Sequence, residues 1–152
     1  MLSSRAKYAT RALLDLSLLY RQGPVQIQDI ATRQAIPLKF LQQILFQLKL
    51  AGFVQSRKGP GGGYVLSRPP DEISLGAVVR AMDGPIAPIS CVSVSQFQEC
   101  GCPEPETCPL RIAFRKVRDA MALQLDGTSF GELRDMKIAG QASYSLLNDY
   151  VI

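Results

Sequence analysis

The stretch "FVQSRKGPGGGYVLSRPP", beginning at Phe53, limits the folds open to this chain more than any other. Two short apolar runs, about residues 53–56 and 63–66, bracket a tip made of Arg57, Lys58 and four glycines, and Pro69 and Pro70 close it. Apolar runs on both sides of a glycine-rich turn predict a β-hairpin. Strand follows the glycines and no Gly-Lys-Ser/Thr is present, so the run is neither a Walker A loop nor a dinucleotide fingerprint. A flexible linker would not be bracketed by apolar strands. Gly59, Gly61, Gly62 and Gly63 remove side chains, which lets this backbone approach another closely. Arg57 and Lys58 stand where a polyanion or a narrow minor groove would attract them, and Tyr64 can pack beneath the tip.

What precedes the hairpin is helical. Ala9, Ala12, Leu13, Leu16 and Tyr20 recur at spacings of three and four, predicting a helix over about residues 3–20, with Ser3 or Ser4 as its cap and Gly23-Pro24 beyond its end. "IQDIATRQ" predicts a short helix at about 27–34, "AIP" a turn, and the segment from Pro37 to about Ala51 a second helix that Gly52 ends. The second helix has an apolar stripe, Leu41, Ile44, Leu45 and Leu48, opposite Lys39, Gln42, Gln43 and Phe46. A helix of this width fits a major groove, where Lys39 can reach a phosphate or a guanine and Gln42 and Gln43 can meet adenine edges or phosphates. "SLGAVVRAMDGP" is a further short helix. Helix, helix–turn–helix, then hairpin is the order of a winged helix. The fold expected is mainly α with a small β-hairpin: a winged helix-turn-helix domain plus a long dimerisation helix.

All four cysteines lie between Cys91 and Cys108, spaced Cys91-x8-Cys100-x-Cys102-x5-Cys108, and the chain has no histidine. The window holds Pro103, Pro105 and Pro109 and little periodicity, so it reads as a loop. A cysteine cluster in a cytosolic protein points to metal or redox chemistry rather than a disulfide framework. Thiolates suit an iron–sulfur cluster, a zinc ion or a thiol switch, and buried inert cysteines are the bland alternative. Cys108, just ahead of Pro109, falls at the cap of the next helix, where the dipole would favour a thiolate. That helix carries Leu110, Phe114, Val117, Met121 and Leu125 as a narrow apolar seam, fitted to a second helix and so to a homodimer.

The net charge is +4, with Arg5, Lys7, Arg11, Lys39, Lys49, Arg57, Lys58 and Arg68 in the first half and only acidic charge in the cysteine window. This balance suits a polyanion partner, here double-stranded promoter DNA. No apolar run approaches the length of a membrane span, and the N-terminus has the helical spacing and the Asp15 interruption that a signal peptide lacks, so a cytoplasmic protein is expected. With no histidine, no paired carboxylates and no Cys-x-x-Cys, an enzyme is not expected. A winged helix used for protein contact, with structural zinc, is the rival to a DNA-binding regulator.

The glycine-rich hairpin, "IATRQAIPLKFLQQILFQLKLAGFVQS" and "LSSRAKYATRALLDLSL" together resemble the IscR-like (Rrf-two) family of bacterial transcription regulators, from the N-terminus to about Leu125. The resemblance implies a homodimeric winged-helix protein, a recognition helix from Pro37, a wing at the glycines, and an iron–sulfur cluster on a cysteine loop before a dimerisation helix. It divides the chain into a DNA-binding domain at 1–83, a sensor loop at 84–108 and a dimerisation helix and tail at 109–152. Some relatives carry Glu where this chain has Gln42, so operator preference is expected to differ. The fourth cluster ligand departs from the family: the histidine position is Arg111 and the partner-aspartate position is Lys7, neither a ligand. Either Cys100, an additional thiol, takes that place beside Cys91, Cys102 and Cys108, or the fourth site is left to a small molecule, or no cluster forms.

Overall fold

The computed structural model describes residues 2–140. The first helix, α1 (Ser4–Leu18), begins where Ser3 accepts a hydrogen bond from the Ala6 N–H at 3.1 Å. It ends two residues earlier than its apolar periodicity implies, because Arg21 enters the left-handed region at φ 68° and the chain turns. Tyr20 lies past the helix end but still packs on the core. Next come α2 (Ile27–Gln34) and α3 (Leu38–Leu50). Between them Ala35 is left-handed at φ 47°, and the Ile36 N–H bonds back to the Ala31 carbonyl at 3.0 Å, which closes α2 and buries Ile36. Pro37 is the residue before α3 rather than part of its first turn; its carbonyl accepts the Leu41 N–H at 2.9 Å. Gly52, at φ 78°, ends the turn after α3.

The hairpin pairs β1 (Val54–Arg57) with β2 (Gly63–Leu66) in antiparallel register, Val54 opposite Leu66 and Arg57 opposite Gly63. A single bridge, Val25 with Tyr64, adds the α1–α2 connection to the sheet edge. A short 3₁₀ turn at Pro70–Glu72 leads into α4 (Leu75–Asp83), capped by Ser74. The cysteine segment is largely irregular, with one 3₁₀ turn at Ser90–Val92, and α5 (Pro109–Gly127) follows. The last described helix, α6 (Phe130–Ala139), has no counterpart in the sequence reading. It folds back onto α1, and its Phe130 is 0% exposed within the same core as Leu13, Leu41 and Val78. The signal for it was present: Ser129 followed three residues later by Glu132 has the capping-box spacing, and Ser129 accepts the Glu132 N–H at 3.0 Å. The Phe130 N–H to the Ile73 carbonyl, 2.9 Å, and the Leu75 N–H to the Thr128 carbonyl, 2.8 Å, stitch the start of α6 to the start of α4.

Helix α5 behaves differently. None of its residues is buried, and Leu110, Val117, Met121 and Leu123 stand exposed at 65, 46, 44 and 73%. It is held by Arg80 of α4, which pairs with Asp126 through two bonds of 2.5 and 2.8 Å, and by Arg118, which donates to the Val92 carbonyl at 2.5 Å. No helix among the described residues is long and apolar enough to cross a membrane. The end of the 109–152 segment, from 141, lies outside the described residues.

The core position of Phe130 gives a direct check. Phe130→Ala should cost about 3–5 kcal/mol in urea unfolding, as a large buried aromatic does, whereas Met136→Ala on the exposed side of α6 should stay within about 0.5 kcal/mol.

Candidate DNA-binding face and cysteine pocket

On α3 the expected division holds residue by residue: Leu41, Ile44, Leu45 and Leu48 are buried, and Lys39, Gln42, Gln43 and Phe46 face outward. The first turn of α1 borders the same surface. Ser3, Ser4 and Arg5 share a shallow recess of about 330 Å³ with Phe40, Gln43 and Gln47. Arg5 is exposed there and is a cation that the reading of α3 and the wing alone did not include. Its place beside Gln43 could not be read from spacing, because α1 and α3 are brought together only by the core.

In the wing, Arg57, Lys58, Gly59 and Gly61 are exposed. The glycines divide by task. A Cβ at Gly62 would strike the Arg57 carbonyl, and one at Gly63 the Val25 carbonyl; Gly59 and Gly61 have open space and positive φ. Gly62 and Gly63 are therefore needed for the hairpin itself, and Gly59 and Gly61 leave the tip bare. Tyr64 is part of the base. Its backbone exchanges two hydrogen bonds with Val25, at 2.8 and 2.9 Å, and its half-buried ring packs on the core. Lys49 reaches across from α3 to donate to Ser56 at 2.7 Å, linking helix and wing.

The four cysteines, distributed over eighteen residues, come together at the foot of α5. Cys91 is buried on the 3₁₀ turn, Cys100 and Cys108 are half-buried, and Cys102 is exposed. They touch in sequence: Cys91 with Cys100, Cys100 with Cys102, Cys102 with Cys108. Cys91, Cys100 and Cys102 line a pocket of about 430 Å³ with Phe97, Glu99, Pro105, Glu106 and Arg111. Cys108 opens onto a neighbouring recess that shares Cys102. Cys108 does precede α5 as its cap, yet its thiol bonds none of the helix's free N–H groups. Among the described residues no three Cys, Asp or Glu side chains are already arranged as a metal site.

The acid–base character of these thiols follows from their line-up. The backbone N–H of Cys102, and then its thiol, donate to Cys100 and lower the Cys100 pKa. By the same contact Cys102 gives up its proton reluctantly, and its pKa is pushed up to about 11. Burial, followed by the charge on Cys100, raises Cys91, while Arg111 works the other way. Of Cys91, Cys100 and Cys102, Cys100 thus gives up its proton most readily.

A helix-turn-helix pair with one polar outward face, tied to a wing with a basic bare tip, defines a winged-helix DNA-binding regulator. The chain belongs to the Rrf2 family: the family model described as an iron-dependent transcriptional regulator matches residues 2–135. It is 39% identical over 98% of its length to the whole of an rrf2-like HTH-type transcriptional regulator of Rhodobacter capsulatus, and 39% identical over 87% of its length to the HTH-type transcriptional regulator IscR of Aliivibrio salmonicida, covering 76% of that protein. The solved structure of CymR, the global cysteine regulator of B. subtilis, superposes with a TM-score of 0.76 at 29% identity, over 89% of this chain and 96% of that one. The protein is a transcription regulator of the IscR-like group, DNA-binding by family, and not an enzyme.

The ordering of the thiols is measurable in the metal-free protein. At pH 7.5 iodoacetamide should modify Cys100 before the more exposed Cys102. Raising the pH to 9.5 should accelerate Cys102 more than Cys100, because Cys102 is still largely protonated there and Cys100 is not. Peptide mass spectrometry over time reads both rates, and equal rates at both pH values would contradict the assignment.

Proposed function

We propose that the protein is a cytoplasmic, homodimeric regulator that reads promoter DNA with α3 and its wing and senses iron–sulfur status or redox state through Cys91, Cys100, Cys102 and Cys108. The observation that carries this reading is the meeting of all four thiols at the foot of an otherwise uncovered helix. The donor set suits an iron–sulfur cluster: four soft thiols lie within one loop, Cys91, Cys100 and Cys102 around a pocket of about 430 Å³ and Cys108 at the recess beside it. When bound, a cluster supplies iron that oxidants and reactive gases attack, and its loss releases the thiols. The chain's own residues do the rest: Cys91 fixes one side of the pocket to the 3₁₀ turn, Arg118 ties that turn to α5, and residues 84–108 act as the sensor loop between the domain at 1–83 and the dimerisation helix.

The exposed seam of α5 supports dimerisation. Val117, Met121 and Leu110 would find cover against the same helix of a second copy, and two recognition helices would then address half-sites about one turn apart. At the DNA, Lys39, Arg57 and Lys58 supply phosphate or minor-groove charge, Gln42 and Gln43 the base-edge donors and acceptors, and bare Gly59 and Gly61 the close approach, with Gly62, Gly63 and Tyr64 holding the wing in shape. A thiol switch without metal is the second reading. The Cys100–Cys102 pair, a thiol of lowered pKa beside another thiol, favours it.

Anaerobic purification decides between them. The protein should be brown and contain iron and acid-labile sulfide; a colourless protein with one zinc per chain would overturn the cluster reading. On a cognate promoter fragment, affinity should fall steeply with salt, and Lys58→Ala should lower the slope of log K against log salt by about 1 per subunit. Salt-independent binding would refute the phosphate contacts.

A further inference from the structure

The pocket formed by the cysteines contains one basic side chain, and its bonding is incomplete. Arg111 lies in the first turn of α5, three residues after Cys108. Its guanidinium is held on two sides. The Phe97 ring stacks on it, 5.6 Å from Cζ to the ring centroid, and NH1 donates to the Pro105 carbonyl at 3.2 Å. A second donor, Nε, is buried and has no acceptor. Unpaired buried donors are uncommon, and each costs on the order of 1–3 kcal/mol in lost solvation. Among the described residues no carboxylate forms an ion pair with Arg111, although Glu99 and Glu106 line the same pocket. Three thiols, two carboxylates and a single cation thus share about 430 Å³.

We infer that Arg111 anchors the anionic, thiolate-bound group in this pocket: its guanidinium, clamped by Phe97 and Pro105, supplies the neutralising charge and donates Nε–H to a sulfur of that group. The inference deepens the reading above, since it rests on the thiols holding a soft metal centre. It also explains how the site can be built without a nitrogen ligand. Arg stays protonated and cannot coordinate. With four thiolates a metal centre would carry excess negative charge beside Glu99 and Glu106, and Arg111 offsets it without taking a coordination position. Arg serves here better than Lys, because the planar fork can bond Pro105 with one arm while stacking on Phe97 and still present Nε.

Two variants and two readouts test this. In the full-length protein, Cd²⁺ is titrated into the metal-free form and followed by its sulfur-to-metal charge-transfer absorbance. Arg111→Gln should weaken Cd²⁺ binding by about ten- to a hundredfold, as loss of a partner outside the ligand shell does, and Arg111→Lys should recover part of it. In protein loaded with iron and sulfide, Arg111→Gln should also lower the midpoint potential, because the reduced, more negative centre loses its countercharge. A merely structural arginine would leave that potential in place. Phe97→Ala, at a half-exposed ring, guards against misfolding of the Gln variant and should weaken Cd²⁺ binding in the same direction by freeing the guanidinium. Wild-type Cd²⁺ affinity in Arg111→Gln and Phe97→Ala, with an unshifted potential in loaded Arg111→Gln, would overturn the inference. A wild-type protein that binds Cd²⁺ but takes up no iron and sulfide would instead sink the cluster reading, and the Cd²⁺ titrations would still judge Arg111.

Discussion

The small-residue face of α1 is the constraint on which the remaining structure depends. Ala6, Ala9 and Ala12 are fully buried, and with no side chain beyond Cβ they let neighbouring helices approach closely; Leu13 and Leu16 fill the space they open. Around this one helix pack α2, α3, α4, α6 and β2. A single buried acid sets the angle of the helix-turn-helix pair upon it. Asp15, 3% exposed, accepts from Nε and NH2 of Arg33 at 3.0 and 2.7 Å and from Gln34 at 3.0 Å, and Arg11 bonds the Gln34 carbonyl. A carboxylate so placed must be satisfied, so α2 is fixed to α1 at its C-terminal end. Since α2 in turn carries α3, the orientation of the outward side chains of α3 is inherited from this contact.

The parts legible in the sequence share a property: their signals are local. The stripes of α1 and α3, the break at Gly52, the hairpin around the glycines and the cap at Ser3 all depend on residues within a turn or two of one another. The misreadings have the same logic in reverse. Tyr20 continues the apolar spacing of α1, so it looks helical, but it packs half-buried on the core beyond the helix end, where the chain turns at Arg21. The whole of α6 was missed because its apolar residues, Met136 and Ile138, point outward, and only Phe130 and Leu133 serve the core. A helix anchored mostly by its first residue has little periodicity to read.

The site was legible to different depths. The outward residues of α3 follow from helical geometry and could be named. The division of labour among the glycines could not, since Gly63 is constrained by Val25, nearly forty residues away, and Arg5 meets Gln43 only through the core. For the cysteines the spacing identified a cluster of thiols but not their order of contact. That order comes from the fold of an aperiodic loop, which places Cys100 between Cys91 and Cys102 and turns the additional cysteine into the centre of the line.

The same loop is wired to the reading head within one subunit. Asp83, the last residue of α4 and the start of the passage to the cysteines, accepts from both the backbone N–H, 2.8 Å, and the hydroxyl of Ser3. At the C-terminal end of α4 an acid opposes the helix dipole; beside the N-terminus of α1 it complements one. Asp83 therefore gains from holding α1 what it loses on its own helix, and that favours keeping the two ends together. Ser3 adjoins Arg5 and, across the shallow recess, Gln43 of α3. One turn earlier on the same helix, Arg80 is fixed to Asp126 of α5. The last turn of α4 is thus tied both to the helix that follows the cysteines and to the start of α1. In the proposed regulator, a rearrangement of the loop that shifts the segment after Asp83 would bear on the Ser3–Asp83 contact and so on α1, the element from which α2 and α3 take their positions.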